Sequence, residues 1–211
     1  MRKLLLFLWL LLPAGALAYH YGPGQERLRC DRADESMRRA QSLAFQASEL
    51  AKEKGDDAAK DLWKQAQDAC SEALALLPAD KLAEQRTLRL ERAKAQMFTG
   101  GLPEARREFE ALVEELSADP KPDRAQLDEA REGLGNAQYY TTWLMRLEGS
   151  TREEWEPEIE AARQNYKLLA ESALAQADTQ GAERRLENLE AAVKLERMEL
   201  KDLQGLPLPS Q

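Results

Sequence analysis

GGLPEARREFEALVEEL, residues 100–116, carries the pattern that decides how this chain folds. Gly100 and Gly101 end the segment before them, as glycine at a helix end does. Pro103 sits in the first turn of the next helix, where its missing N–H would have had no partner. Ala105, Phe109 and Leu112 then recur at steps of four and three, along one side of that helix. A small residue, a ring one turn later and a third apolar residue beside it make a packing unit. The alanine lets a partner helix come close, and the ring fills the gap alongside.

The same unit appears twice more. In AQDACSEALALLP, Ala66, Cys70 and Ala73 repeat the steps of four and three, and Pro78 closes the stretch. In AARQNYKLL, Ala162, Tyr166 and Leu169 do so again. Between these units the chain is rich in Ala, Leu, Glu, Arg, Lys and Gln, which lose least on entering a helix. Apolar steps of three and four predict a first helix through Met37, Ala40, Ala44 and Ala47, then a second from Ala59 to Leu77 after Gly55. A third runs from about Asp80 to Phe98 and a fourth from Pro103 to Leu116. SADPKPD, residues 117–123, is a loop by composition. A fifth helix extends to about Glu148. Thr151 and Glu154 form a capping box ahead of a sixth. Pro157 predicts a short turn first, with the main helix from about Pro157. Thr179–Gly181 separates it from a last helix, Ala182 to about Leu203. No stretch reads as strand, so the expected class is all-α, with helices paired as hairpins.

The small–large–apolar units resemble the second helix of a tetratricopeptide repeat. Ala93 and Gly135 stand where that family wants a small residue in the first helix. The family's tryptophan is absent, with Arg89 and Arg131 in its place. The spacing also departs from about 34 residues, since Ala66 to Ala105 is 39 and Ala105 to Ala162 is 57. The resemblance covers roughly residues 34–175. It implies antiparallel hairpins stacked as a short right-handed solenoid over residues 31–203, with the last helix as a cap. A plain helical bundle is the other architecture open at this point.

The two ends have their own composition. MRKLLLFLWLLLPAGALA, residues 1–18, has a cationic start, an apolar run and an A-x-A site, the parts of a secretory signal peptide. Its apolar run falls short of the roughly 20 residues a membrane span needs, and no later stretch is long and apolar enough. Removing 18 residues from 211 leaves 193, and losing Arg2 and Lys3 takes the net charge from −8 to −10. Such an acidic chain repels nucleic acid. Residues 19–30 read as a flexible leader and residues 204–211 as a proline-containing tail. Export, with the resemblance to bacterial repeat proteins, implies a periplasmic or secreted protein. Cys30 and Cys70 are the only cysteines. Placed on a first hairpin turning at Gly55, Cys70 lies across from about Gln41. Cys30 is then about 16 Å further along, beyond the roughly 7 Å of a disulfide. A bridge is not expected, and Cys70 is a packed small residue.

AQYYTTWLMRLEGSTREEW, residues 137–155, gathers Tyr139, Tyr140, Trp143 and Trp155 in a chain only 6% aromatic. At about 100° per residue, Leu134, Ala137, Tyr140, Leu144 and Leu147 share one face. That predicts Tyr140 in the core, Trp143 at its edge and Tyr139 looking outward. The repeat resemblance implies a second use, because the family's first helices line a groove that binds peptides. The groove would hold Lys94, Met97 and Phe98 from one repeat. From the next it would hold Glu132, Asn136, Tyr139 and Tyr140, with Trp143 at its lip. The family's carboxylate-clamping lysine is replaced by Glu132. Rings as a groove and rings as core both fit.

Catalytic chemistry finds little in this composition. His20 is the only histidine, which leaves no triad and no histidine-based metal site. There is no phosphate-binding glycine loop in a strand–turn–helix context. Glu153, Glu154, Glu156, Glu158 and Glu160 lack the spacing of a calcium loop and suit a solvated helix start. The expectation is a non-enzymatic, cofactor-free protein that holds a protein or peptide partner along its third and fifth helices. One alternative is a structural helical subunit of an envelope assembly, docking through Leu186, Leu189, Val193 and Met198. A carboxylate-based hydrolase would need paired acids in a deep pocket.

Overall fold

A computed structural model describes residue 19, residues 23–199 and residues 202–203. The expected signal peptide and the tail lie outside them. Among the described residues there are seven α-helices and no strand. They are α1 (Pro23–Lys54), α2 (Asp56–Leu76), α3 (Leu82–Phe98), α4 (Leu102–Ala118), α5 (Arg124–Leu147), α6 (Arg152–Ala175) and α7 (Thr179–Arg197). None is long and apolar enough to cross a membrane. The chain divides into two compact units, residues 1–89 and 90–211.

In the first unit α1 and α2 form a hairpin, turning at Gly55 with φ 85°. Their seam is built from small residues, Ala40 against Ala69, Cys70 and Ala73, with Leu88 of α3 completing the cluster. Small side chains let the two backbones approach closely. Cys70 is a buried small residue of this cluster. Helix α1 starts earlier than expected. Residues 23–30, read from sequence as leader, are its first turns. Pro23 opens the helix, where a proline is favoured, and the charged residues after it are good helix formers. Cys30 and Cys70 are not joined in a disulfide.

In the second unit two cores share one helix. The first joins Leu90 and Ala93 of α3, Ala105, Phe109, Leu112 and Leu116 of α4, and Leu127, Ala130, Leu134 and Ala137 of α5. The second joins Tyr139 of α5 to Trp155, Ile159, Ala162, Tyr166 and Leu169 of α6, to Ala192 and Leu195 of α7, and to Leu203. Each predicted ring sits where a small residue makes room. A Cβ on Gly133 would lie 2.4 Å from Cε1 of Phe109, and one on Gly135 would lie 3.0 Å from Cε1 of Tyr166. The glycines of α5 are therefore seats for the rings of α4 and α6.

Polar contacts tie helices that are not consecutive. Lys94 of α3 bonds Glu129 of α5. Arg106 of α4 holds both carboxylate oxygens of Glu158 of α6, at 2.8 and 2.7 Å. The guanidinium of Arg146, on α5, donates to the carbonyls of Leu195 and Met198 and lies 4.8 Å over the ring of Trp155. A cation there satisfies the orphan carbonyls at the end of α7. Helix α7 ends at Arg197 and does not run to Leu203, which sits in a separate turn with Asp202.

Two more boundaries differ from the sequence reading. Helix α6 begins at Arg152 and carries Pro157 inside it. The capping box is formed, with the Glu154 carboxylate accepting from the Thr151 N–H at 2.8 Å. Proline at the sixth helical position removes one backbone bond, and the box fixes the turn before it. Thr179–Gly181, expected as a separator, is the first turn of α7, because the Asp178 carboxylate accepts from the Gly181 N–H at 2.9 Å. The turn between α6 and α7 passes through Ala177 at φ 58°, a left-handed conformation that costs an alanine about 1 kcal/mol. Ala177→Gly is expected to raise the melting temperature by about 2–4 °C. Unchanged or lower melting by circular dichroism would show that this turn carries no such strain.

Candidate partner-binding site

Helix α5 positions most of the expected site. Residues 133–139 are all buried, so its middle is covered on every side. The inward face carries a polar seam with α6. The Tyr166 hydroxyl donates to Oδ1 of Asn136 at 2.8 Å. Asn165 donates to Oε1 of Gln138 at 3.0 Å, and the Ser172 hydroxyl donates to Oδ2 of Asp128 at 2.7 Å. The seam fixes the register of the two helices by pairing buried polar groups, which are costly when left alone.

The structure divides the eight expected residues. Asn136 is buried and bonded to Tyr166, so its amide faces the seam and not a groove. Tyr139, expected to look outward, is 0% exposed and packs in the second core. Tyr140, expected in the core, is half-exposed. The two rings meet edge to face with centroids 5.9 Å apart. The single-face projection fails here because α5 is packed on both sides, by α4 and by α6, and Tyr139 belongs to the α6 side. Glu132, Phe98 and Trp143 are half-buried. Met97 packs against the first core. Lys94 is bonded to Glu91 at 2.8 Å and to Glu129. Burial works against its charge, but the two carboxylates outweigh burial and hold its pKa above the usual lysine value. Lys94 is thus engaged within the chain.

Burial raises the pKa of Tyr139. It raises that of Tyr166 well above the usual tyrosine value, with smaller contributions from Tyr139, Tyr140 and Glu132. The Tyr139 hydroxyl has no hydrogen-bond partner among the described residues. Among those residues there is also no cluster of His, Cys, Asp and Glu that could hold a metal ion.

Sequence reasoning missed what remains on the outside. Leu144 and Leu147, assigned to the core face, are each 41% exposed. With Tyr140 and Trp143 they form an apolar stripe along the last two turns of α5, at steps of three and four. Tyr140 and Leu147 follow Gly133 at intervals of seven, and Leu144 follows Ala137 by seven. Gly133 touches Phe109 of α4, and Ala137 shares a core with α4, so the stripe continues the seam that α4 covers. Helix α4 has 17 residues and α5 has 24. The difference is about 10 Å at about 1.5 Å per residue. The hairpin joins the end of α4 to the start of α5, so it is the far end of α5 that outruns its partner. The signal that could have found this is helix length, not periodicity.

No protein-family model, no curated protein and no solved structure matches this chain. Among the described residues the helices pack in adjacent pairs, which is compatible with a helical repeat fold.

Proposed function

We propose that this chain is an exported, non-enzymatic scaffold of tetratricopeptide-like hairpins that holds a protein or peptide partner in the bacterial envelope. The observation that carries the reading is the apolar stripe on α5 in which Leu144 and Leu147 are exposed and Tyr140 and Trp143 are half-buried beside them. Rings with one polar end beside aliphatic side chains suit a peptide surface. The hairpin stack is supported by the links within the second unit. Each apolar core joins three successive helices, and Lys94–Glu129 and Arg106–Glu158 add polar links between alternate ones. A right-handed solenoid makes contacts of both kinds. The envelope assignment is supported by residues 1–18.

The docking surface in this proposal differs from the groove expected from sequence. Asn136 and Tyr139 are committed to the interior, so the partner meets Tyr140, Trp143, Leu144 and Leu147. Crosslinking capture from the native envelope, with residues 19–211 as bait, tests it. Trp143→Ala/Leu147→Ser, checked by circular dichroism for unchanged helicity, is expected to lose the partner that the native bait retains. Identical capture by both baits would remove the stripe from the function. The alternative of docking through α7 has less to offer, because Leu189 packs against the chain's own core and Val193 and Met198 are half-buried, leaving Leu186 exposed.

A further inference from the structure

We propose that two copies of this chain exchange α7, the turn after α6 straightening so that each copy's α7 packs on the other's α6. The turns at Gly55, Gly100 and Gly149 pass through the left-handed region on glycine, at φ 85°, 85° and 82°. The turn after α6 does so on Ala177, at φ 58°, the one non-glycine residue with positive φ among the described residues. Its hydrogen bonds are those of a glycine-ended helix. The Asp178 N–H donates to the Ala173 carbonyl at 2.9 Å, and the Ala177 N–H to the Leu174 carbonyl at 3.1 Å. Glycine is the usual residue at the left-handed position of that motif. Alanine is strained there, and it is the best helix former of all. Residues 174–180, LAQADTQ, contain no proline and no glycine. The same stretch is thus strained as a turn and at ease as a helix. Straightened, α6 and α7 become one helix over residues 152–197, about 70 Å long.

The contacts that hold α7 do not depend on which copy supplies it. Leu195 is its one large apolar residue that is fully buried, beside Ala182 and Ala192. Its polar ties come from side chains on α5 and α6. Arg163 of α6 meets Glu196 at 2.9 Å, and Arg146 of α5 donates to the carbonyls of Leu195 and Met198. A second copy's α7 finds the same groups, so exchange keeps these contacts and alters only the hinge. A short strained connection favours such exchange. The first core contains no residue of α7, so it stays closed while α7 is away. The closed turn has one device of its own, the Asp178 carboxylate accepting from the Gly181 N–H at 2.9 Å. A Cβ on Gly181 would lie 1.9 Å from Oδ2 of Asp178, so that cap needs glycine.

The test refolds residues 19–211 from denaturant over a range of concentrations, with thiols kept reduced, and measures mass by light scattering on a sizing column. A dimer that grows with concentration is expected. Ala177→Gly should lower its association constant by about a hundredfold or more, because glycine gains in the turn and loses in the straight helix, at two hinges per dimer. Gly181→Ala should raise it, by removing the cap and favouring the helix. Arg163→Glu sets two acids together across α6 and α7, and Glu196→Arg sets two bases together. Refolded as a mixture, exchange joins the unchanged Arg163 of one copy to the unchanged Glu196 of the other, and the two introduced charges, opposite in sign, meet each other. The mixture should give at least about fivefold more dimer than either variant alone. A native chain that stays monomeric overturns the proposal. So does a dimer that Ala177→Gly leaves unchanged, or a mixture that gives only the average of its components. If both charge variants fail to fold, mixed or apart, the Ala177→Gly comparison decides. The mass is read without a binding partner, so failure here leaves the scaffold proposal standing.

Discussion

Gly133→Ala is expected to destabilise this chain by about 1–2 kcal/mol, although alanine is much the better helix former. Helix propensity favours the substitution by about 1 kcal/mol. Packing opposes it. The new methyl would lie 2.4 Å from Cε1 and 2.6 Å from Cζ of Phe109. That ring is fully buried, with Leu112, Leu134 and Ala105 in the same cluster, so it has no solvent side to move toward. Overfilling a packed core typically costs about 1–3 kcal/mol, which exceeds the propensity gain. At about 2–4 °C per kcal/mol for a chain of this size, the loss is measurable in a thermal melt. Phe109→Leu supplies the control. Alone it destabilises, but combined with Gly133→Ala it should cost less than the two separately, with a coupling of about 1 kcal/mol or more. A higher melting temperature for Gly133→Ala would mean that α4 and α5 do not approach at this point.

Tyr166→Phe and Tyr139→Phe are expected to act in opposite directions, though both remove one buried hydroxyl. The Tyr166 hydroxyl donates to Asn136. Its loss leaves a buried amide oxygen without that donor, for about 1–3 kcal/mol. The Tyr139 hydroxyl has no partner among the described residues, so its removal is expected to be neutral or to stabilise slightly. Denaturant melts at neutral pH distinguish the two, and equal destabilisation would contradict the seam geometry. Alkaline pH adds a second readout. Both hydroxyls hold their protons more firmly in the folded chain than in the unfolded one, Tyr166 the more strongly, mainly through burial. Their contribution is complete below the unfolded value of about 10 and is lost as pH rises through the folded values. Tyr166→Phe should therefore flatten the loss of stability above about pH 10.

The helices were legible in the sequence because this chain uses strong helix formers and clear stops at Gly55, Gly100 and Gly149. The packing rings were legible too, since Phe109 and Tyr166 follow their alanines by one turn. What periodicity could not give was the surroundings of α5. A single-face projection assumes one buried side, whereas α5 touches α4 on one side and α6 on the other. Composition held the clue. From Gly133 to Met145 there is no charged residue, in a chain that is 32% charged. Its first half, residues 133–139, is the part enclosed on all sides, and the lack of charge there would have placed Tyr139 inside. The exposure of Tyr140, Leu144 and Leu147 depends on where α4 starts, which is a property of another segment. The early start of α1 and the continuous helix through Pro157 were hidden for a simpler reason. Proline and glycine read as breaks in a sequence, and here Pro23 and Pro157 lie within helices.

Each apolar core of the second unit spans three successive helices, and both cores take in α5. The pairs Lys94–Glu129 and Arg106–Glu158 are different in kind, because their side chains keep contact with water. Dissolved ions weaken such pairs and leave the cores intact. Salt therefore relaxes the outer ties of the unit and not its body, and α5 is the keel on which both cores are laid.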